Sequence, residues 1–218
     1  MNYGAFIYEK EVLSQSELRD VVKFALEVSN QKDSIHSSGK YASLNWYKYS
    51  IDPDLEFIKK ILKIIGIDKA ELIDFYYLDP GAVLHPHRDL TGASFNNRIR
   101  FHVPIITNSK VSFKVSGEEI VMKPRDLWCL DTSYIHSVRN DGNESRVHIV
   151  IECNVNDQIK KYIPNDWKSK LHSVFYVCIM VISLFKSLLI NTYKDPKYLL
   201  TQIKMILGFI KWRIFGLK

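Results

Sequence analysis

The spacing of hydrophobic and polar positions along the chain predicts helices first. Up to about residue 66, apolar residues recur every three or four positions, which is typical of a helix with one buried face. The stripe 18–26 follows Ser14 and Glu17, which have the spacing of a capping box. The stripe 55–65 lies between Asp52-Pro53, a predicted helix start, and Gly66, a predicted stop. We therefore expect two helices in this zone, among short strands.

From about residue 70 to 156 the pattern changes to alternation, which is typical of strands with two different faces. Turn signals such as Asp79-Pro80-Gly81 separate short runs rich in Val, Ile, Phe and Tyr. The predicted strands are 71–78, 83–89, 99–107, 111–115, 119–122, 126–131 and 146–153. We predict a mainly β fold with flanking helices, specifically a double-stranded β-helix, which is a jelly-roll or cupin-like barrel.

The last zone reads as helical again. Asn165/Asp166 and Asp195-Pro196 predict the starts of two helices, and neither segment has an internal proline after its start. The predicted domains are therefore residues 1–164, a barrel with N-terminal helices, and residues 165–218, an apolar helical extension.

Net charge distinguishes the extension from the barrel. The chain carries +6 overall, but residues 166–218 contain nine Lys/Arg and two Asp/Glu, so the rest of the chain sums to −1. We expect no nucleic-acid partner for the barrel. The extension either packs on the barrel or across a homodimer, or lies on an anionic membrane, or spans one despite Lys186.

Cysteine usage and the N-terminal residues indicate a cellular compartment. Three cysteines, an odd number, fit no disulfide or zinc framework, and the first residues lack the pattern of a secretory signal. We expect a cytoplasmic, reducing setting, with membrane association as an option.

Polar side chains occupy one face of several predicted strands. Arg100 and His102 oppose an apolar series in their strand, as do Arg146 and His148 in the last strand. His87 and Asp89 share a face with His85. A barrel interior lined in this way is costly unless these groups are paired or bind something.

The best candidate ligand set is His87, Asp89 and His136. A His-x-Asp pair with one distant histidine supplies two imidazoles and one carboxylate on one face of a metal. This set suits non-haem Fe(II) and leaves positions open for a cosubstrate and O2. Arg146, ten residues after His136, could bind a carboxylate such as that of 2-oxoglutarate. Arg100 could do the same or assist.

These residues stand in four segments that resemble the aspartyl/asparaginyl β-hydroxylase family of Fe(II)/2-oxoglutarate dioxygenases. The segments are HPHRD at 85–89, RIRFHVPIIT at 98–107, KPRDLWCLDTSYIHSVRN at 123–140 and SRVHIVIEC at 145–153. The resemblance covers about residues 70–155. It departs from the family at 123–126, where a glycine often precedes the tryptophan-containing strand.

The resemblance implies a role for each matching residue. His87 and His136 would bind iron, and Arg146 would hold the distal carboxylate of 2-oxoglutarate with help from Arg100 and His102. Some members of the family lack the carboxylate ligand, and the presence of Asp89 resembles the branch with a complete triad, which includes proline hydroxylases.

Other site residues remain open alternatives. His85 could replace Asp89 as a ligand, as in cupins with a His-x-His pair, or contact the substrate. Arg146 could form an ordinary ion pair. Asp131 could cap a turn or bind metal, and Trp128 could be core or a platform for the substrate. Tyr76 and Tyr77 alternate, so one of them, with Tyr77 as the candidate, could point into the site.

The predicted function is hydroxylation of an unactivated C–H bond, using Fe(II), 2-oxoglutarate and O2 and releasing succinate and CO2. The substrate would be an amino acid, a peptide or a lipid-linked molecule, and the apolar basic extension tilts the choice towards the last. The alternatives are a cupin-type metalloprotein without dioxygenase activity, and an adaptor that binds a membrane or partner through residues 166–218.

Overall fold

The computed structural model describes residues 4–31, 33–34, 45–89 and 97–163, and nine positions between 171 and 193. The chain divides into two compact units, residues 1–164 and 165–218. Each unit is described by itself.

The described part of the first unit consists of eleven strands and three short helices. The strands are β1 Ala5–Glu9, β2 Asp33–Ser34, β3 Trp46–Ser50, β4 Leu72–Leu78, β5 Val83–His87, β6 Arg98–Ile106, β7 Val111–Val115, β8 Glu118–Glu119, β9 Leu127–Leu130, β10 His136–Asn140 and β11 Arg146–Asn154. The helices are α1 Gln15–Val28, α2 Glu56–Ile65 and α3 Asp157–Lys160, and a single 3-10 turn, Ser29–Gln31, follows α1.

Two antiparallel sheets form the predicted jelly-roll architecture. The larger sheet has seven strands in the order β1-β9-β6-β11-β4-β3-β2, and the smaller has four in the order β5-β10-β7-β8. Several neighbours in this order, such as β1 and β9, β6 and β11, and β5 and β10, are far apart in the chain, so both sheets combine strands from the whole first unit.

The apolar face of the larger sheet packs against the N-terminal helices. Phe101 and Ile149, from its two central strands, are fully buried in the same core as Ala25 of α1 and Ile61 of α2. The alternation of the sequence predicts this face, because residues two apart in a strand point to the same side. The opposite face of the same strands therefore points to the second sheet.

A second apolar cluster lies between the sheets and forms part of the wall around the polar residues. It includes Leu78 and Trp128 from the larger sheet and Phe113, Val115 and Val138 from the smaller one. This cluster holds the two sheets together while leaving the polar positions of β6 and β11 facing a cavity.

The helix signals in the sequence are correct in part. The capping box is present: Glu17 N donates to Ser14 Oγ at 3.2 Å, and Ser14 N donates to the Glu17 carboxylate at 2.6 Å. Gly66 ends α2 in the left-handed conformation, at φ +77°. The predicted start at Asp52-Pro53 is wrong, because Leu55 is the N-cap and Asp52 instead accepts a hydrogen bond from Asp54 N within a preceding turn.

The turn at 123–126, where the sequence departs from the family pattern, has a backbone conformation that favours glycine. Arg125 has φ +74°, in the left-handed region that costs a non-glycine residue about 1 kcal/mol or more. The Arg125 side chain compensates by pairing with Glu11 and donating to Leu13 O at 3.4 Å. The turn therefore keeps its shape without glycine and ties β9 to the segment after β1.

Several elements were not among the predicted strands. The sequence interpretation did not define β1, β3 or β10, and it placed a strand at 119–122 where β8 covers only Glu118–Glu119. The helix α3 was also unexpected; Asn156 caps it by accepting from Ile159 N at 2.8 Å.

The second unit is helical at all nine described positions, which lie between 171 and 193. The predicted helix starts at Asn165/Asp166 and at Asp195-Pro196 lie outside the described residues. Among the residues that the structure describes, no helix is both long enough and apolar enough to cross a membrane.

Candidate active site

Two histidines lie opposite each other on adjacent strands of the smaller sheet. Strands β5 and β10 pair antiparallel with His87 opposite His136, and their ring centroids are 4.2 Å apart. The register shifts between His136 and Val138, which marks a bulge beside the pair. Sheet pairing thus brings together two imidazoles that are about fifty residues apart in sequence.

The backbone fixes the tautomer of both rings in the same way. His87 Nδ1 lies 2.7 Å from His85 O, and His136 Nδ1 lies 3.0 Å from Tyr134 O. A carbonyl oxygen can only accept, so Nδ1 is the donor in each ring, and the neutral form of such a ring presents its lone pair at Nε2. This is the arrangement that supports histidine as a metal ligand.

Asp89 completes the group directly after β5. Its backbone N donates to Thr132 O at 2.9 Å, and its Oδ1 lies 3.5 Å from His87 Nε2. One ligand atom from each of His87, Asp89 and His136 lies within 4.8 Å of the other two. Two imidazoles of this tautomer and one carboxylate together form a group that could hold a cation.

The protonation state of His136 suits this role. The residue is 6% exposed, and burial, followed by the neighbouring His87, lowers the pKa of His136 to about 4. Its ring is therefore neutral at pH 7, as a metal ligand must be.

Arg100 joins Asp89 to a second carboxylate. Its Nη1 lies 2.9 Å from Asp89 Oδ2, and its Nη2 lies 2.7 Å from Glu152 Oε2. Burial alone would lower the pKa of Arg100, but Tyr76, Asp89 and Glu152 outweigh it and the net shift is upward. Arg98 contacts the other oxygen of Glu152 at 3.3 Å. Both oxygens of Glu152 are thus engaged, which fixes its position.

Arg146 has a different environment. It is 2% exposed at the start of β11, its Nη2 donates to His148 Nδ1 at 2.7 Å, and its guanidinium lies 5.7 Å from the centre of the Phe113 ring. Its Nε is buried and has no hydrogen-bond partner. Within the described ranges, no carboxylate forms an ion pair with Arg146. Burial lowers the pKa of Arg146 to about 9, which leaves a desolvated cation at neutral pH.

His102 and His148 lie beside this cation as neutral rings. Their Nδ1 atoms are 3.4 Å apart. Burial first, and then the positive charge of Arg146, lower the pKa of both histidines well below the usual value. Neither ring therefore carries a positive charge that would compete with Arg146 for an anion.

One cavity of about 610 Å³ contains both groups. The residues around it combine the candidate ligands, the arginines and a partly apolar wall. Its lining includes Trp46, Tyr76, His87, Asp89, Arg100, His102, Phe113, Thr132, His136, Arg146 and Glu152. The cavity thus has the size of a small-molecule site, with a few converging polar groups.

The structure gives positions to three residues that the sequence left open. Tyr77 does not face the cavity: it is 1% exposed and its hydroxyl donates to Ala25 O of α1 at 2.8 Å. Its neighbour Tyr76 lines the cavity instead. His85 has an exposed side chain and is not part of the three-residue ligand group. Trp128 is 9% exposed, belongs to the apolar cluster between the sheets and is not among the lining residues.

Asp131 supports the turn before β10. Its Oδ1 accepts hydrogen bonds from Ser133 N at 3.0 Å and from Ser133 Oγ at 2.6 Å. These contacts are those of a residue that caps a turn, which was one interpretation of Asp131 from the sequence. Glu152 and His148, which the sequence interpretation did not include in the site, share with Arg146 one face of β11, and this alternation was the available signal.

The fold and the site define a jelly-roll protein with a candidate His-Asp-His metal centre. The sequence model of the aspartyl/asparaginyl β-hydroxylase family matches residues 9–155, more than half of the chain, and the chain belongs to this family. No curated protein matches the sequence significantly.

Solved structures share the fold at low sequence identity. The epimerase SnoN in complex with Fe3+, α-ketoglutarate and nogalamycin RO has a TM-score of 0.55 and 10% identity, covering 69% of this chain and 79% of that chain. The viral collagen prolyl hydroxylase of Paramecium bursaria Chlorella virus-1, a 2-oxoglutarate complex, has 0.51 and 16%, covering 69% and 95%. A Pseudomonas putida prolyl-4-hydroxylase has 0.51 and 10%, covering 70% and 94%.

Proposed function

We propose that this protein is an Fe(II)- and 2-oxoglutarate-dependent hydroxylase. The observation that carries the proposal is the pairing, in one cavity, of a three-residue ligand group with a buried arginine that has no carboxylate partner among the described residues. The first needs a cation and the second needs an anion. A metal with a bound dicarboxylate would satisfy both.

The ligand group fits iron by its chemistry. His87 and His136 would bind through Nε2 and Asp89 through Oδ1, giving two imidazoles and one carboxylate on one face of the ion. Such a facial set leaves the remaining positions for a chelating 2-oxo acid and O2. When bound, iron and 2-oxoglutarate supply the oxidising chemistry that hydroxylates an unactivated C–H bond and releases succinate and CO2.

The barrel residues bind and orient the cosubstrate. Arg146 would hold the distal carboxylate of 2-oxoglutarate, because it is a fully buried cation in this cavity and forms no ion pair with described residues. Arg100 is less suited to that role than the sequence suggested, since two carboxylates already occupy it. His102, which lines the cavity as a neutral ring, could contact the cosubstrate by hydrogen bonding.

The proposed substrate belongs to one of the three classes that the sequence analysis names. An amino acid, a peptide or a lipid-linked molecule would enter the cavity past its partly apolar wall, which includes Trp46, Tyr76 and Leu84. A reducing cytoplasmic setting would keep the iron ferrous. Contact with a membrane is compatible with this setting. The cupin-type alternative uses His85 and His87, and the exposed position of His85 weighs against it.

The decisive experiment is 2-oxoglutarate turnover. Anaerobic protein with Fe(II) and 2-oxoglutarate should develop a visible charge-transfer absorption, and adding O2 should yield succinate even without substrate. The variants His87→Ala and His85→Ala form a matched pair, two residues apart on one strand. We expect His87→Ala to lose both signals and His85→Ala to keep them. Loss in His85→Ala alone, or no signal in a folded wild-type protein that takes up iron, would favour the cupin-type reading.

Arg100 has a positioning role in this proposal. By holding Asp89 Oδ2 at 2.9 Å it turns Oδ1 towards His87, and Glu152 holds Arg100 from the other side. Outer partners of this kind orient a ligand, and their loss costs about tenfold to a hundredfold in metal affinity. Asp89 would lose its fixed orientation without the guanidinium.

We therefore expect Arg100→Gln to weaken Co(II) or Fe(II) binding by about tenfold to a hundredfold, measured by anaerobic titration. Arg98→Gln is the control, because Arg98 contacts Glu152 and Glu71 but not Asp89. Arg100→Lys should bind metal more tightly than Arg100→Gln, because lysine keeps one positive charge beside Asp89. Equal metal affinity in wild type and Arg100→Gln, with thermal unfolding of the metal-free proteins unchanged, would remove this role from Arg100.

A further inference from the structure

The second unit exposes an apolar helical face. All nine of its described positions are helical, and the large hydrophobic ones are 46% to 93% exposed. They are Leu171, Phe175, Cys178, Ile182, Phe185, Lys186, Leu189, Ile190 and Tyr193. Lys186 is the one charged residue among these nine.

The described apolar positions form a stripe with helical spacing. Positions 171, 175, 178, 182, 185, 189 and 193 follow one another at intervals of three or four, which is the spacing of residues on one side of a helix. An exposed apolar surface of this extent marks a place where something else binds.

The net positive charge of the second unit distinguishes between the partners that could cover this helical face. Residues 166–218 carry nine Lys/Arg and two Asp/Glu. A second copy docking stripe to stripe would bring two strongly positive segments together, whereas an anionic surface would be attracted. Aliphatic and aromatic residues combined with an excess of lysine are the composition of helices that lie in the headgroup region of anionic membranes.

We propose that this helical face binds the surface of an anionic lipid bilayer, lying in the plane of the membrane. Phe175, Ile182, Phe185 and Leu189 enter the boundary between headgroups and acyl chains. Lys186, on the same side of the helix, extends its apolar stem along the bilayer and places its ammonium among the phosphates. The inference rests on the second unit alone and holds whether or not the barrel is a hydroxylase.

The test is cosedimentation of the full-length protein with vesicles. Vesicles of phosphatidylcholine alone are compared with vesicles that also contain phosphatidylglycerol, each at low and high salt. We expect binding to the anionic vesicles only, and weaker binding at high salt because the ions screen the lysines. Ile182→Asp/Phe185→Asp should lower the partition coefficient by about tenfold or more, since two buried apolar side chains are lost. Lys186→Glu should weaken binding at low salt but not at high salt.

Leu26→Asp is the matched control, because Leu26 is an apolar residue 55% exposed on helix α1 of the first unit. It should bind vesicles as wild type does, and circular dichroism should give all variants the same thermal unfolding. Three results would overturn the proposal: no cosedimentation with anionic vesicles, equal binding to neutral ones, or a lipid-free homodimer that Ile182→Asp/Phe185→Asp converts to monomers in light scattering.

Discussion

His136→Ala is expected to abolish metal binding and, with it, 2-oxoglutarate turnover. The change removes one of the two imidazoles of the three-residue ligand group, and two ligands hold an ion far less well than three. Loss of an outer partner alone costs up to about a hundredfold in affinity, so loss of a ligand should cost more than that. Anaerobic Fe(II) titration, with succinate formation measured in parallel, gives both quantities.

Thermal unfolding separates metal binding from folding in this variant. Saturating metal at about a hundred times its dissociation constant should stabilise the wild type by about 2.7 kcal/mol, and His136→Ala should show no such gain. The metal-free variant should be less stable by about 1–3 kcal/mol, since Tyr134 O loses its buried donor. His85→Ala supplies the control with an intact ligand group. Metal-dependent stabilisation that persists in His136→Ala would remove this histidine from the metal site.

The periodicity of the sequence was sufficient to separate the two faces of the central strands. Phe101 and Ile149 pack on the helices, and Arg100 and Arg146 face the cavity, as alternation predicts. This succeeds because the two faces of a strand are fixed by local backbone geometry. The helix end at Gly66 was predictable for the same reason: a left-handed residue favours glycine wherever it lies.

Contacts between distant segments could not be predicted from periodicity. Alternation placed either Tyr76 or Tyr77 in the site; the choice depends on α1, whose Ala25 O accepts from Tyr77. Ile73 and Phe75 share the face of Tyr77 and are buried in the helix-side core, which was the available signal. The start of α2 was missed because Asp52 prefers a local turn to a cap.

The partners of the two arginines illustrate the same limit. Arg100 and Glu152 are directly opposite each other in the pairing of β6 with β11, so the ion pair follows from a strand register that the sequence does not state. With Glu152 on one side and Asp89 on the other, Arg100 is neutralised. Arg146, in the same sheet, contacts two neutral side chains among the described residues, His148 and Phe113. The register thus separates two arginines for which the sequence suggested related tasks, Arg146 as the carboxylate-binding residue and Arg100 as its alternative or assistant.

That difference leads to opposite effects of Arg146→Met on binding and on stability. The variant should lose the contact with the distal carboxylate of 2-oxoglutarate, and truncating one partner of a buried charge pair costs about 2–5 kcal/mol. The KM for 2-oxoglutarate should rise by about thirtyfold or more, which is the lower end of that range at 1.4 kcal/mol per tenfold. Fe(II) affinity should stay near that of wild type, because Arg146 does not contact the ligand group.

The metal-free, cosubstrate-free variant should be as stable as wild type or more so. Replacing buried charge with an apolar side chain of similar size is neutral or stabilising by about 1–4 kcal/mol, and His102 can donate to His148 in place of Arg146. The control is Arg139→Met, which should change neither property. Arg139 is an exposed residue of β10 and pairs with Asp141.

A 2-oxo acid without the distal carboxylate provides the final comparison for Arg146. Wild type should discriminate strongly against it, whereas Arg146→Met should use it about as well as 2-oxoglutarate, because the variant offers the distal carboxylate of 2-oxoglutarate no ion pair. If Arg146→Met keeps the wild-type preference for 2-oxoglutarate, another cation holds the carboxylate. If it unfolds at a lower temperature than wild type without cosubstrate, Arg146 has a structural partner that outweighs its burial. Increased stability together with lost discrimination is the result expected of a residue that remains unpaired in order to bind an anion.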